Sequence, residues 1–284
     1  MIAPASPQPP AQPPEDAAIA AHPGAIPAAT LVIFRKAPGG LAGNAAPQLL
    51  MVRRSAKMRF AAGAAVFPGG KVDPADRILA RSLLPADAEP EHIDDTAARI
   101  AAIRETLEET GLVLAIAPIT PDRPITAASA AAARALLATT GALAPVLEDM
   151  GWALRLDLLV PFARWCPRSG RAFDTRFYLA DIGTGAVDIE VDATENTLAY
   201  WTSASGALAA ADAGTAPLIL PTRRNLERLA QFASFAETAA HARQTPIRPI
   251  CAERVMREGV AWLEIPEGLG YPVLGEIEAN ARRG

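Results

Sequence analysis

The sequence is poor in the residues that build disulfide frameworks, histidine metal sites and nucleic-acid surfaces. Its 284 residues include two cysteines, Cys166 and Cys251, and three histidines that lack the spacing of metal ligands. Two distant cysteines favour a reducing, cytoplasmic setting, although a single disulfide stays open. Lysine and arginine number 27 against 31 aspartates and glutamates, a net charge of −4. This acidic balance argues against nucleic acid as a partner.

Long apolar runs are also missing. Half of the residues are hydrophobic, which is ample for a core, but no apolar run reaches the length of about 18 residues that a membrane span needs. We therefore expect no membrane partner, and we leave a homodimer open. Residues 1–25 are rich in proline and alanine, a composition that cannot bury enough surface to offset its ordering entropy. The sequence predicts a disordered tail at 1–25 and one folded domain at 26–284.

What the sequence does contain is a dense acidic group in the segment AAIRETLEETGLVL, residues 101–114. On a helix, Glu105, Glu108 and Glu109 share a face because residues three and four apart are neighbours. Three carboxylates repel one another unless a cation lies among them, and hard oxygen ligands suit Mg²⁺ or Mn²⁺. Arg104 is placed to hold one of these carboxylates. A solvated acidic surface is the alternative interpretation of such a run.

The predicted helix has signals at both ends, and we place it at about 95–110. Asp94 or Asp95 can cap its N-terminus, and Gly111 can end it in the left-handed conformation. Apolar residues recur at spacings of three and four on another face, as burial against a core requires: Ile100, Ile103 and Leu107.

This pattern resembles the Nudix box, a glycine and a loop followed by R-E-U-x-E-E-x-G-U, where U is bulky and apolar. Thr106 departs from it by occupying an apolar position. The resemblance implies an α/β fold, an α/β/α sandwich with a mixed β-sheet, and metal-dependent hydrolysis of a nucleoside diphosphate-linked substrate. The residues that match the pattern are Arg104, Glu105, Glu108, Glu109, Gly111 and Leu112.

The loop inside the box is longer than the family pattern. Residues 71 to 103, 33 in all, separate Gly70 from Arg104, where the pattern has 13. Closure entropy grows only with the logarithm of loop length, so the extra residues cost roughly 0.8 kcal/mol. Asp76 falls where the box has a glutamate. We predict an insert at about 77–94 on the surface near the site.

A second motif speaks to the substrate. From Arg54 to Gly70 the sequence matches the last 17 positions of the motif that precedes the box in coenzyme A diphosphatases, R-[S/A]-x3-R-x3-G-x3-F-P-G-G. Leu50-Met51-Val52 replaces the leading L-L-T. Guanidinium groups bind phosphate oxygens bidentately, and CoA carries a 3′-phosphate besides its diphosphate. With the insert, the stretch resembles the acyl-CoA diphosphatase branch of the family.

The resemblance implies a role for each matching residue. Glu105, Glu108, Glu109 and a carbonyl of Gly69 would bind the metal, and Arg104 would orient a carboxylate without carrying a proton. The general base is either a box glutamate or Glu195 in the later segment DATE. The predicted substrate-binding residues are Arg54, Arg59, Phe67, Gly69 and Gly70.

The expected substrate is CoA or acyl-CoA, cleaved to (acyl-)4′-phosphopantetheine and adenosine 3′,5′-bisphosphate. Two alternatives stay open at this point. One is a diphosphatase for ADP-ribose or NADH, and the other is a catalytically silent Nudix sensor that binds a nucleotide. A silent version would be expected to lose box carboxylates, and this chain keeps all three.

Overall fold

The computed structural model describes residues 24–36, 46–57, 61–166, 172–183 and 196–281. Its strands are β1 (Ile26–Arg35), β2 (Gln48–Arg54), β3 (Ala65–Val66), β4 (Gly69–Lys71), β5 (Ile116–Pro118), β6 (Trp152–Leu154), β7 (Val160–Trp165), β8 (Phe173–Asp181), β9 (Asn196–Thr202), β10 (Pro249–Ile250), β11 (Glu253–Arg257), β12 (Val260–Glu264) and β13 (Gly275–Ile277). Its α-helices are α1 (Pro74–Leu83), α2 (Pro90–Thr110), α3 (Ala127–Thr140), α4 (Leu143–Met150), α5 (Ala204–Asp212), α6 (Leu220–Leu229), α7 (Phe235–Gln244) and α8 (Glu278–Ala281).

The main sheet has eight strands and is mixed. Its path runs β10-β7-β8-β1-β2-β3, with β4 paired to β1 and β9 paired to β2. The pairs β1–β8 and β10–β7 are parallel, and the others are antiparallel. β5 and β6 form a separate two-stranded sheet, and β11, β12 and β13 a three-stranded one.

Both faces of the main sheet are covered, because neighbouring side chains of a strand point to opposite faces. In β1, Leu31 and Ile33 join a core cluster with α2, α3 and α4 on one face. Val32 and Phe34 join a second cluster with α5, α6 and α7 on the other face. The predicted α/β/α sandwich with a mixed β-sheet is confirmed.

The acidic helix predicted at about 95–110 begins earlier than the sequence predicted. α2 starts at Pro90 with Glu89 as N-cap, so Asp94 and Asp95 are inside the helix and the expectation that one of them caps it is wrong. Proline at the first helical position has its φ preset for the helix and lacks only an N–H that would be unpaired there. The predicted insert, 77–94, therefore consists largely of the end of α1 and the first turn of α2.

Three predicted features lie outside the described residues: nearly all of the tail, Arg59, and Glu195. In the part of the chain that the structure describes, no helix combines the length and the apolar character that a membrane crossing requires. Cys166 and Cys251 are buried and are not joined by a disulfide.

Candidate active site

The acidic end of α2 is closed by Gly111. This residue has φ +71° and its N–H donates to the carbonyl of Leu107. Glycine is favoured in the left-handed conformation at this position, because the backbone of a residue with a Cβ is strained there. The expected end of the helix is confirmed.

The two glycines of β4 lie directly against this helix end. A Cβ added to Gly70 would overlap the carboxylate of Glu105, and one added to Gly69 would overlap the carbonyl oxygen of Ala29 in β1. Gly69 also has φ +155°. Only glycine therefore allows the turn after Pro68 to pass between β1 and α2, which brings backbone atoms up to the carboxylates.

Arg104 is the centre of a buried network at the base of the site. It is 3 % exposed, and it donates from Nε to Asp76 Oδ1 and from Nη2 to Asp76 Oδ2, both at 3.0 Å. The same Nη2 also donates to the carbonyl of Lys71 at 2.9 Å, which ties α2 to β4. Burial by itself lowers the pKa of Arg104, but the hydrogen bond to Asp76 and the nearby carboxylates outweigh it and raise the pKa overall. Arg104 thus stays charged and orients its neighbours.

Two box carboxylates share one nitrogen of this arginine. Nη1 of Arg104 donates to Glu105 Oε1 at 3.0 Å and to Glu108 Oε2 at 3.4 Å. The side chain of Glu105 is 16 % exposed and that of Glu108 is 47 % exposed. Burial raises the pKa of Glu105 to about 7, although the charge of Arg104 opposes the shift. Glu108 is accordingly the solvent-facing member of the three.

Glu109 is the most enclosed of the three carboxylates. It is 4 % exposed, its Oε2 accepts from the backbone N–H of Gly69 at 3.1 Å, and its Oε1 accepts from Nδ2 of Asn196 at 3.0 Å. Burial raises the pKa of Glu109 to about 8, while these hydrogen bonds and the charge of Arg54 oppose the rise. Glu105 and Glu109 also repel each other, which adds to the upward shift of the pKa of Glu109.

The structure therefore brings Glu105 and Glu109 to the twin glycines and links Glu108 to them through Arg104. No group of three or more His, Cys, Asp or Glu side chains among the described residues is arranged to hold a metal ion. Glu105 and Glu108 are bridged by the guanidinium of Arg104, and no third carboxylate in the described part of the chain joins them there. A role for these glutamates and for the Gly69 carbonyl in metal binding stays a prediction.

The predicted substrate residues are placed unequally. Arg54 ends β2 close enough for its charge to act on Glu109, and its Nε is buried without a hydrogen-bond partner in the described part of the chain. Phe67 is 3 % exposed and packs in the core cluster that includes Met51. The structure gives Phe67 a packing role beside the Pro68 turn, and its contact with a substrate is untested.

Asn196 is a site residue that the sequence prediction missed. It is the first residue of β9, is fully buried, and is 87 residues from Glu109 in sequence. Its neighbour Glu195 is a candidate general base because it is a carboxylate, whereas a lone asparagine at the start of a strand does not indicate a functional site. Only the pairing of β9 with β2, which sets Asn196 opposite Arg54, reveals its position.

Comparison with known proteins gives the family. No model of a protein family matches the chain. The solved structure of a Nudix hydrolase from Alicyclobacillus acidocaldarius is 31 % identical, with a TM-score of 0.61, over 76 % of this chain and 96 % of that one.

Two further solved structures are more distant. A MutT protein from Methanosarcina mazei Go1 is 18 % identical, with a TM-score of 0.35, over 72 % of this chain and 93 % of that one. An Ap4A hydrolase from C. elegans is 17 % identical, with a TM-score of 0.38, over 75 % and 98 %. These two likenesses are too weak to carry an argument. The likeness to the A. acidocaldarius enzyme, together with the matching box at the end of α2, is sufficient: the chain belongs to the Nudix hydrolase family, whose enzymes act on pyrophosphate bonds.

Proposed function

We propose that this enzyme hydrolyses the diphosphate of CoA or acyl-CoA with the help of Mg²⁺ or Mn²⁺. Water adds to one phosphorus and the P–O–P bridge breaks, so that the products are (acyl-)4′-phosphopantetheine and adenosine 3′,5′-bisphosphate. CoA and acyl-CoA belong to a wider class of substrates, the nucleoside diphosphate derivatives. The cytoplasm is the proposed location, and a homodimer stays a prediction.

The observation that carries the proposal is the position of the 17-residue motif. Its two ends, Arg54 and the Gly69–Gly70 pair, both border Glu109: the charge of Arg54 acts on its carboxylate and the N–H of Gly69 binds it. Arg54 is half-buried at the end of β2, and a guanidinium group in such a position can donate to a phosphate oxygen. Arg59 is the proposed ligand of the 3′-phosphate.

The donor chemistry at the end of α2 suits a divalent cation, although the described carboxylates are not already grouped around one. Nudix hydrolases generally use divalent metal ions. Within ion-pair distance of Arg104 lie four carboxylates, those of Asp73, Asp76, Glu105 and Glu108, so negative charge exceeds positive charge even before Glu109 is counted. Carboxylate oxygens are the ligands that Mg²⁺ and Mn²⁺ prefer.

In this proposal, the metal ligands are Glu105, Glu108, Glu109 and the carbonyl of Gly69. When bound, the cation neutralises diphosphate charge and makes water a better nucleophile. Arg104 keeps its link to Asp76 and orients Glu105. The proton from water goes to a box glutamate or to Glu195.

The test is a panel of diphosphates assayed with Mg²⁺ and with Mn²⁺, the products being separated by chromatography. CoA and acyl-CoA should be cleaved with a higher kcat/KM than ADP-ribose or NADH. A reversed order would assign the enzyme to the ADP-ribose or NADH class. No turnover of any compound would support a silent sensor.

Dephospho-CoA is the matched control substrate because it lacks only the 3′-phosphate. Arg59→Ala should lower kcat/KM for CoA by about 10- to 100-fold, the value of a charge-assisted hydrogen bond, and leave dephospho-CoA within about threefold. Equal losses for both compounds would remove Arg59 from 3′-phosphate recognition.

A further inference from the structure

We infer that Asn196 is a positioning residue that fixes the carboxylate of Glu109 for cation binding. The inference rests on the proposed function, since it takes Glu109 to be a metal ligand. Asn196 is not part of the Nudix box and comes from a different element of the fold, the first residue of β9.

The geometry holds both oxygens of Glu109 in place. Asn196 Nδ2 donates to Oε1 at 3.0 Å, and the Gly69 N–H donates to Oε2 at 3.1 Å. One donor comes from the first residue of β9 and the other from the first residue of β4, so rotation of the carboxylate breaks at least one bond. Because the glutamate side chain has three rotatable bonds, these two contacts determine where its free lone pairs point.

The position of Asn196 is itself determined by the sheet. β9 pairs antiparallel with β2, and the register shifts between Arg53 and Arg54, so that Asn196 lies opposite Arg54. Arg53 is held by the carbonyl of Thr215 at 2.6 Å. The amide that reaches Glu109 and the guanidinium whose charge acts on Glu109 thus come from one pair of strands.

A packing role alone explains Asn196 poorly. The residue is fully buried, and its Oδ1 has no hydrogen-bond partner within the described part of the chain. A buried acceptor left unpaired destabilises the fold, a cost that an apolar residue of similar volume would not incur. What the amide provides, and an apolar residue cannot, is the Nδ2 donor to Glu109.

Hydrogen-bonding partners of metal ligands typically contribute about 10- to 100-fold to metal affinity or activity. Asn196→Val removes the side-chain donor but keeps a residue that suits a strand, and Asn196→Ala serves as a second variant. We expect each to weaken Mn²⁺ binding, measured by electron paramagnetic resonance of the free ion, by about 10- to 100-fold. We expect kcat for CoA to fall similarly, with KM within about threefold.

Asn225→Ala is the matched control. Asn225 is also fully buried and also has one side-chain atom without a partner among the described residues, but its contacts are Tyr271 and Trp165. This variant should keep the wild-type Mn²⁺ affinity within about twofold. If the Asn196 variants bind Mn²⁺ as well as Asn225→Ala does, the inference is wrong.

A double variant that also carries Glu109→Gln distinguishes a positioning role of Asn196 from a general loss of stability. Asn196→Val should cause little further loss of Mn²⁺ affinity in the Glu109→Gln protein, and the Tm changes in EDTA should be less than additive. Full additivity in both measurements would contradict the inference. If Glu109→Gln alone retains wild-type Mn²⁺ affinity, the proposed metal role of Glu109 fails. If it loses affinity while Asn196→Val does not, only the role of Asn196 fails.

Discussion

The two ends of α2 differ in how well their acidic side chains are balanced by arginines. At its N-terminal end, acids and arginines are matched: Glu91 pairs with Arg176 at 2.8 Å and Asp95 with Arg99 at 2.7 Å. On the neighbouring strands, Asp174 and Arg164 form a bidentate pair at 2.7 and 2.9 Å. At the C-terminal end, four carboxylates lie within ion-pair distance of Arg104, and Glu109 has no ion pair within the described residues.

This difference separates structural charge from functional charge. A matched pair gains stability from its partner and has little capacity for a ligand. A buried excess of carboxylates destabilises the fold until a proton or a cation compensates it, and such shifted groups cluster at functional sites. The raised pKa values of Glu105 and Glu109 are the expected consequence of the imbalance.

The largest expected effect is the loss of activity on neutralising the unmatched end. Glu109→Gln should lower kcat by about 100- to 1000-fold, on the scale of losing a group that stabilises transition-state charge. Steady-state assays with saturating Mn²⁺ measure it. Glu91→Gln makes the same chemical change at the matched end and should leave kcat within about twofold. Comparable losses in the two variants would erase the distinction between the ends.

An intermediate effect is expected on stability as pH changes. In metal-free protein, the folded pKa values of Glu105 and Glu109, about 7 and about 8, lie above their ordinary value of 4.5. The folded state then holds protons more tightly than the unfolded state between about pH 4.5 and 8. The free energy of unfolding should therefore fall, on the order of a few kcal/mol, as pH rises through this window.

Thermal denaturation in EDTA at pH 5.5, 7 and 8.5 tests this dependence. Tm should be highest at pH 5.5, and Glu109→Gln should remove much of the decline. Saturating Mg²⁺ should raise Tm most at pH 8.5, because the ion competes with protons for the carboxylates. A metal-free Tm that rises with pH would contradict the account.

The smallest effect concerns the stability contribution of the matched end. Removing the charge of Glu91, whose side chain is 68 % exposed, should change the free energy of unfolding by less than about 1 kcal/mol, since exposed ion pairs contribute little. Urea titration of Glu91→Gln measures the change. A loss of several kcal/mol in the free energy of unfolding would mean that removing Glu91 leaves a buried charge at this end without a partner.

The sequence predicted what depends on local spacing. Glu105 and Glu109 are one helical turn apart, so their common face follows from the helix period, and Gly111 follows from the chemistry of helix ends. The start of α2 at Pro90 was mispredicted because aspartates further along looked like better caps. The choice between Glu89 and Asp95 depends on how the preceding segment packs, which spacing does not encode.

Contacts between segments that are distant in sequence could not be predicted from the sequence. Asn196 meets Glu109 only because β9 joins the edge of β2, and Phe67 turns into the core because β3 and the Pro68 turn direct it there. A motif names residues that are close in sequence, whereas these positions are set by sheet pairing. The sandwich itself was anticipated from the Nudix resemblance rather than from periodicity.

The central claim is that the unmatched carboxylates at the end of α2 recruit a divalent ion. Its most direct test is a Mn²⁺ titration, followed by electron paramagnetic resonance, of the wild type and of the double variant Glu105→Gln/Glu109→Gln at pH 7.5. We expect saturable binding to the wild type and a loss of at least about a hundredfold in affinity in the variant. Equal Mn²⁺ affinity in the two proteins would contradict it.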